Sequence, residues 1–147
     1  MITPAQNAFF CAVLAAAQIS EKTTKVPAAF PAAEAMVETG YGAHCPGMNL
    51  FGVKADKSWT GPTTTQRTRE VIDGKNIIIE AKFRAYTNWQ GSIDDHAQFL
   101  LTNERYAPAF KTMNAVDFTR AVAAAGYATD PHYADTIIGV MKSRGLV

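Results

Sequence analysis

The sequence is poor in cysteine, and its two cysteines, Cys11 and Cys45, stand far apart. Structural metal sites and disulfide frameworks rest on closely spaced or repeated cysteines. The spacing therefore argues against a metal site on these thiols, and it leaves a disulfide undecided. We expect two free thiols, with Cys11 on the buried face of a helix.

An excess of either charge is also lacking. The 14 Lys and Arg residues and the 13 Asp and Glu residues give a net charge of +1, and the two signs are mixed along the chain. A surface that binds nucleic acid usually shows as a cluster of basic residues, so no nucleic-acid partner is predicted. The 3 histidines lack the spacing of metal ligands. Neither a metal nor another cofactor is expected.

A hydrophobic run long enough to cross a membrane is absent as well. The most apolar segment, residues 7–17, is too short to span a bilayer, and no Lys or Arg precedes it as in a secretion signal. The segment Thr3-Pro4-Ala5-Gln6 instead predicts a helix start, with Thr3 as the N-cap and Gln6 reaching back to it. We expect a chain made in the cytoplasm, without a signal peptide or a stable membrane anchor.

Apolar side chains are what the sequence has in quantity. They make up 48% of the 147 residues, with no break in composition, which predicts one domain with a well-filled core over residues 1–147. The first helix should turn one apolar side inward. The side chains expected there are Phe9, Phe10, Val13, Leu14 and Ala17.

Turn and cap signals divide the rest of the chain into helices around one hairpin. Asp73-Gly74 favours a type I′ turn between strands at 65–72 and 75–86. Residues 20–26 should connect the first helix to a second that stops at Gly40. Further helices are predicted at 92–101, 106–112, 117–126 and 130–145, with caps at Ser92, Asp117 and Asp130. The expected fold class is α+β, mainly helical with one small hairpin lobe.

Glu38, in the last turn of the second helix, is the candidate catalytic residue. A helix C-terminus presents unpaired carbonyl groups, which disfavour a carboxylate and raise its pKa. Glu34 lies one turn earlier on the same face, and if ionised it would raise the pKa of Glu38 further. A carboxyl group that stays protonated near neutral pH is what a general acid requires.

Eight ordered segments of the sequence form a distinctive set. They are Glu34-Ala-Met-Val-Glu38-Thr-Gly-Tyr-Gly42, Asn49-Leu-Phe-Gly-Val-Lys54, Trp59-Thr-Gly61, Thr68-Arg-Glu70, Phe83-Arg-Ala-Tyr86, Ser92-Ile-Asp-Asp-His96, Asn103-Glu-Arg-Tyr-Ala107 and Gly126-Tyr-Ala-Thr-Asp-Pro-His-Tyr133. In this order they resemble one enzyme family, the peptidoglycan-cleaving glucosaminidases of glycoside hydrolase family 73. Together they extend over nearly the whole chain from about Pro27. The resemblance implies a lysozyme-like fold, in which helices and a β-lobe flank a sugar-binding groove.

The resemblance also implies roles for individual residues. Glu38 matches the family's general acid, Glu70 matches the second carboxylate of the β-lobe, and Tyr127 matches an aromatic residue of the cleft near the acid. The family more often has Gln at the position of Glu34 and Trp at the position of Tyr41. The first departure is expected to raise the pKa of the acid further, and the second to reshape one sugar contact.

Other residues of these segments are weighed as substrate contacts. Tyr41, Tyr106 and Tyr127 follow loops or helix breaks beside the expected groove, where an aromatic face can stack on a sugar ring. Asn49 and Trp59 complete the predicted substrate-binding set.

Helix caps explain most of the remaining acidic residues. Asp94, Asp95, Asp117 and Asp130 stand at expected caps or first turns, while Glu80 is an alternative to Glu70, and Asp56 a weaker one. His96 is expected to be half-buried on a helix, and His44 and His132 are expected on the surface.

The sequence thus predicts a metal-independent glycosidase that cuts the β-1,4-linked glycan strands of bacterial peptidoglycan as an endo-β-N-acetylglucosaminidase. A helix-end acid facing a carboxylate on a hairpin suits the wider, inverting spacing, while assistance by the substrate's N-acetyl group is the alternative. A muramidase, a lytic transglycosylase and a non-catalytic glycan-binding module are the other readings. We expect a monomer that acts on the periplasmic or extracellular wall, such as a single-domain phage endolysin, a tail lysin or a bacterial autolysin domain.

Overall fold

The computed structural model describes residues 1–147 as five α-helices and one antiparallel pair of strands. In chain order these are α1 (Pro4–Thr24), α2 (Ala29–Thr39), β1 (Thr63–Ile72), β2 (Lys75–Arg84), α3 (Trp89–Thr102), α4 (Ala115–Ala124) and α5 (Tyr133–Ser143). Two 3-10 helices, Pro46–Met48 and Glu104–Lys111, lie in the connections. The predicted α+β class is confirmed.

Helix α1 begins at the predicted cap and runs further than the sequence indicated. The Thr3 hydroxyl accepts a hydrogen bond from Gln6 N, and Gln6 Oε1 accepts one from Thr3 N, which completes the capping box. The predicted connection at 20–26 is wrong, because the helix continues to Thr24. There the Thr24 hydroxyl donates to Ser20 O at 2.9 Å, so a polar side chain finds its partner within the helix.

Both cysteines are free thiols, and one lies elsewhere than predicted. Cys11 is exposed, because the buried side of α1 is formed by Phe10, Val13 and Ala17, and neighbouring residues of a helix point about 100° apart. The expectation of a buried Cys11 is therefore wrong. Cys45 is half-buried, and burial raises the pKa of its thiol to about 11.

Helix α2 lies between two hydrophobic clusters and has every residue from Phe30 to Met36 buried. Phe30 and Ala33 pack into a cluster shared with the later helices, while Ala35 and Met36 pack into a cluster shared with α1. Gly40, with φ of 58°, adopts the left-handed conformation and ends the helix, as the sequence predicts. The helix is thus held from both sides up to the turn that carries Glu38.

The hairpin has the predicted turn, while β1 begins two residues earlier and β2 ends two residues earlier than predicted. Ile72 pairs with Lys75, and Asp73 and Gly74 both have positive φ, as a type I′ turn requires. Burial falls along this arm: Phe83 at its base is buried, whereas Val71 near its tip is 69% exposed. The hairpin therefore projects from the helices with most of its length in solvent.

Asp95 on α3 ties the base of the hairpin to the helices. Its Oδ2 accepts hydrogen bonds from Arg84 Nη1 at 2.9 Å and from the Tyr86 hydroxyl at 2.5 Å. The prediction that Asp95 serves only a helix start is wrong, because α3 begins earlier, with Asn88 as its N-cap. Ser92, the predicted cap, is buried and its Oγ accepts a hydrogen bond from Leu50 N at 3.0 Å.

The later helices differ by a few residues from their predicted limits, and one of them is a 3-10 helix. Pro108 lies inside the segment predicted as a helix at 106–112, which forms the 3-10 helix instead. Asn114 caps α4 and accepts from the backbone N–H of Asp117, which places Asp117 in the first turn. Helix α5 starts at Tyr133, after the predicted Asp130. No helix combines the length and the apolar character that crossing a bilayer requires.

Candidate active site

A polar pocket of about 80 Å³ lies where the last turn of α2 faces the hairpin. We call it the Glu38 pocket; it is lined by Glu38, Thr39, His44, Pro46, Asn49, Leu50, Gly52 and Gln66. Glu38 is its sole carboxylate, and the side chain is exposed to solvent on its open side. A proton held there can be delivered to a group that enters the pocket.

Burial against the pocket walls raises the pKa of the Glu38 carboxyl group. The direction is the one predicted from the sequence, and the cause differs. Glu34 was expected to raise this pKa by its charge, yet burial raises the pKa of Glu34 itself to about 8. At neutral pH Glu34 is therefore protonated and has no charge with which to act on Glu38.

The turn after α2 is held by Thr39. Its hydroxyl donates to Ala35 O at 2.7 Å and accepts from Gly42 N at 2.9 Å. This pair of bonds fixes the chain on either side of Gly40 and so fixes the direction in which Glu38 leaves the helix. Gly42, with φ of 87°, packs so closely on Phe9 that a Cβ would clash with its ring.

Asn49 lines the Glu38 pocket, but its side chain is occupied with its own loop. The amide nitrogen donates to Val53 O and to Arg84 O, both at 2.9 Å, and Oδ1 accepts from Val53 N at 3.1 Å. The predicted substrate residue is thus a wall of the pocket that joins the loop to the hairpin base. Its polar atoms are already paired.

Glu70, the predicted second carboxylate, does not line the Glu38 pocket. It lies on the same face of β1 as Gln66, four residues further toward the tip, which is about 13 Å along a strand. Its carboxylate is paired with Lys54 Nζ. The hairpin therefore brings Gln66, and not Glu70, to the pocket that holds Glu38. Glu80, the alternative acid, is exposed, and β-pairing sets it opposite Arg67 on the other face.

The predicted aromatic contacts Tyr41, Tyr106 and Trp59 lie in three different parts of the structure. Tyr41, in the left-handed conformation with φ of 57°, lines a shallow hollow of about 250 Å³ together with Phe9, beyond the end of α2. Tyr106 is only 3% exposed and packs in the helical core. Trp59 stacks edge-on against Tyr86 at 5.5 Å and donates to Pro62 O, which closes the loop before β1. Of these three, Tyr41 alone borders an open hollow.

Tyr127 lies beneath the pocket as part of a buried hydrogen-bonded chain. Its hydroxyl donates to Glu34 Oε1 at 2.7 Å and lies 2.7 Å from His96 Nε2. His96 is 3% exposed, so the expectation of a half-buried histidine is wrong. Burial lowers the pKa of His96 to about 3, which leaves the imidazole neutral and able to donate through Nε2–H to the Tyr127 oxygen.

Sequence reasoning missed several residues of the site. His44 and Gln66 line the Glu38 pocket, and neither was singled out as a substrate contact. Gln66 shares the period-two face of β1 with Glu70, a signal that could have found it. The pairing of His96 with Glu34 joins residues far apart in the chain, and no spacing rule predicts it.

The Glu38 pocket adjoins neither a cluster of metal ligands nor the other large hollow of the structure. No three side chains among His, Cys, Asp and Glu lie close enough together to share a metal ion. A larger hollow of about 630 Å³ lies between α1 and the start of α4, and it shares no residue with the Glu38 pocket. Its carboxylate, Glu21, accepts from Ala28 N and so serves the chain itself.

The chain resembles known proteins over most of its length. The family model described as glucosaminidase, mannosyl-glycoprotein endo-beta-N-acetylglucosaminidase, matches residues 14–146. The peptidoglycan hydrolase FlgJ of Vibrio parahaemolyticus is 38% identical over 133 residues, which cover 84% of this chain and 43% of FlgJ. The exo-glucosaminidase LytG of Bacillus subtilis is 34% identical, with 96% of this chain and 52% of LytG covered. The chain thus spans about half the length of these relatives.

Solved structures share the fold. The C-terminally truncated glycoside hydrolase domain of Salmonella typhimurium FlgJ matches with a TM-score of 0.83 and 31% identity, covering 97% of this chain and 99% of that one. The catalytic domain of the autolysin Auto from Listeria monocytogenes matches with a TM-score of 0.85 and 25% identity, covering 99% and 88%.

Proposed function

The chain belongs to the glucosaminidase family, with the lysozyme-like fold of its structural neighbours, and from this we propose that it is a peptidoglycan hydrolase. We propose that it cuts β-1,4 bonds of the glycan strand after N-acetylglucosamine, within the strand, with Glu38 as the general acid. Residues 1–147 would form one catalytic domain. The family membership and the position of Glu38 support this reading together.

The observation that carries the proposal is the setting of Glu38. It is the sole carboxylate of the pocket, it stands on a helix end held by two hydrophobic clusters, and burial raises its pKa. A protonated carboxyl group can give its proton to the glycosidic oxygen as the bond from that oxygen to the sugar breaks. Glu38 then remains as a carboxylate in a pocket open to solvent.

The second half of the reaction needs a group that stabilises the positive charge on the sugar or activates water. Glu70 is paired with Lys54 and lies about 13 Å along the strand from Gln66, which lines the pocket. A nucleophile requires about 5 to 5.5 Å between the two carboxyl groups, so we do not assign that role to a carboxylate that lies outside the Glu38 pocket. We therefore favour assistance by the N-acetyl group of the substrate, with a lesser electrostatic role for Glu70.

The groove would hold the strand through polar side chains near the acid and an aromatic face beyond it. We propose that His44 and Gln66 hydrogen-bond sugars next to Glu38, and that Tyr41 stacks on a sugar further along. Tyr106 and Trp59 are left out of this set, since both are engaged in packing. Asn49 and Tyr127 would support the groove from behind.

The test is mass spectrometry of fragments released from purified peptidoglycan and reduced with borohydride. The proposal predicts fragments of several lengths that end in reduced N-acetylglucosamine. Reduced N-acetylmuramic acid ends would make the chain a muramidase, and 1,6-anhydro ends a lytic transglycosylase. Single terminal sugars alone would indicate exo-cleavage, the activity in the name of LytG.

The Glu38→Gln variant is the control for that experiment. It keeps the shape of the side chain and removes the proton to be donated, so it should bind peptidoglycan and release nothing. Binding without release by the unmodified protein would instead mark a glycan-binding module.

The biological setting follows from the substrate. We propose that the domain acts as a monomer on the cell wall, outside the cytoplasm, as an autolysin, a tail lysin or a phage endolysin does. Bacteriolysis when the protein is added outside permeabilised cells, with no lysis by Glu38→Gln, would support this setting. A dimer in solution at the working concentration would contradict the monomer.

A further inference from the structure

A second glutamate of α2 is buried directly below Glu38. Glu34 is 1% exposed, and one helical turn separates it from Glu38. Its Oε1 accepts a hydrogen bond from the Tyr127 hydroxyl, while Oε2 is buried without a hydrogen-bond partner and lies 3.6 Å from His96 Nε2. A carboxyl group in such a place is stable only when it is neutral or when a cation faces it.

No cation does. The titratable groups that face Glu34 are Tyr127 after α4, Tyr133 on α5, His96 on α3 and Glu38 on its own helix. The Tyr133 hydroxyl is buried without a hydrogen-bond partner, and the negative charge of an ionised Glu34 would raise the pKa of both tyrosines. His96 stays neutral in the same dry environment. An ionised Glu34 would therefore be an uncompensated buried charge.

The chain of hydrogen bonds reaches the pocket from two sides. Through its own helix, Glu34 supports the turn that carries Glu38. Through Tyr127 and His96 it reaches Phe51, whose ring stacks on the imidazole with 3.9 Å between centroids. Phe51 follows Leu50, a wall of the Glu38 pocket. Glu34 is thus connected to both walls of the pocket and is itself buried away from the substrate side.

We propose that Glu34 is a positioning residue for the reaction at Glu38: its neutral carboxyl group, Tyr127 and His96 form one hydrogen-bonded chain that holds α2, α3 and the segment after α4 together beneath the pocket, and loss of the Glu34 proton places an uncompensated charge in that chain. The inference rests on the proposed function. It assigns the alkaline limit of activity to two carboxyl groups, the acid Glu38 and the buried Glu34. Each must keep its proton for turnover.

The experiment compares Glu34→Gln with the unmodified protein in kcat and KM for fragment release, from pH 5 to 10 at constant ionic strength. Gln keeps the acceptor for Tyr127 and cannot ionise. At pH 6 its kcat should lie within about threefold of the unmodified value, with KM unchanged, because Glu34 does not touch the substrate. With a pKa of about 8, Glu34 is roughly 90% ionised at pH 9. The activity of Glu34→Gln relative to the unmodified protein should therefore rise about tenfold between pH 6 and pH 9.

A matched control is Glu104→Gln, which removes an exposed glutamate from the 3-10 helix far along the chain. Its activity should follow the unmodified protein at every pH. A ratio for Glu34→Gln that stays constant from pH 6 to pH 9 would overturn the inference. An unmodified protein that releases no fragments would instead overturn the proposed function, so the two failures are distinct.

Tyr127→Phe keeps the inference testable if Glu34→Gln fails to fold. It removes the central hydroxyl of the chain and keeps the ring. We expect kcat to fall about tenfold with KM within about twofold, because the chain loses its central link and Tyr127 does not touch the substrate. A kcat for Tyr127→Phe within twofold of the unmodified protein would contradict the positioning role.

Discussion

The helix that carries Glu38 and the hairpin that carries Glu70 are built in opposite ways. Helix α2 is buried from Phe30 to Met36 between two hydrophobic clusters. The hairpin is held at its base by Phe83 and Asp95, while its tip stands in solvent. A proton donor needs a fixed position and a controlled environment, which packing supplies. The solvated arm suits a surface along which a long polymer lies.

The largest effect on turnover is expected from a substitution on helix α2. Glu38→Gln should lower turnover of peptidoglycan by roughly 10³-fold, since general acid catalysis contributes about 10²–10⁴-fold. Its Tm at pH 7 should be unchanged or raised. A carboxyl group whose folded pKa lies above the unfolded value loses stability as pH rises, and Gln removes that loss. Fragment release and thermal unfolding on the same preparation measure both.

The pH dependence of stability is expected to come from two buried groups in the helices, Glu34 and His96. The raised pKa of Glu34, about 8, gives stability that is full below pH 4.5 and falls as pH rises to 8. The lowered pKa of His96, about 3, gives stability that is full above pH 6.5 and falls as pH drops. The two slopes oppose each other between pH 4.5 and 6.5, where a plateau is expected.

Above pH 6.5, the expected loss of stability comes mainly from Glu34. The unmodified protein should lose roughly 2 kcal/mol between pH 6.5 and 8, or about 4–8 °C in Tm. Glu34→Gln should lack this loss, and the lowered pKa of His96 should make its stability rise with pH up to about 6.5. Denaturant unfolding across this range measures the slopes. Parallel curves for the two proteins would mean that Glu34 is not the group that titrates.

A smaller effect is expected at the junction of the two regions. Asp95→Asn keeps the shape of the side chain and removes the charge that faces Arg84 and Tyr86. We expect a loss of roughly 1–2 kcal/mol in the free energy of unfolding, typical of a partly buried charged hydrogen bond. Activity should fall with it, since the pocket wall at Gln66 moves with the hairpin. Asp94→Asn, on the preceding residue, is the control.

The smallest effect on turnover is expected from substitutions at the Glu70–Lys54 ion pair of the hairpin. Glu70→Gln is expected to lower turnover about tenfold or less, because Glu70 lies outside the Glu38 pocket and is paired with Lys54. Lys54→Met should give a change of similar size. A loss from Glu70→Gln as large as that from Glu38→Gln would show that the hairpin closes and brings this carboxylate to the acid during turnover.

The parts that could be predicted from the sequence are those fixed by local chemistry. The Thr3 capping box, the Asp73-Gly74 turn and the end of α2 at Gly40 each rest on a few neighbouring residues, and each is found in the structure. The error at Thr24 arose because a polar side chain finds its partner within the helix, whereas other errors arose where tertiary contacts override local signals. Ser92, for example, bonds to Leu50, which lies 42 residues away in the chain.

The features of the site divide in the same way into those set by local sequence and those set by long-range contacts. A raised pKa at Glu38 could be inferred from its place on the helix, whereas its cause, burial, depends on walls contributed by other segments. The neutral state of Glu34 depends on Tyr127 and His96, which lie 93 and 62 residues further along the chain. Long-range contacts of this kind leave no periodic signal in a single sequence.

The role of Glu38 as the acid is tested most directly by titrating its carboxyl group by carbon NMR, assigned by difference from Glu38→Gln, and comparing that titration with the pH dependence of kcat/KM. We predict that Glu38 titrates above its ordinary value of 4.5 and that activity declines through the same pH range. A carboxyl group already ionised at pH 4.5, or activity that persists after Glu38 has lost its proton, would contradict it.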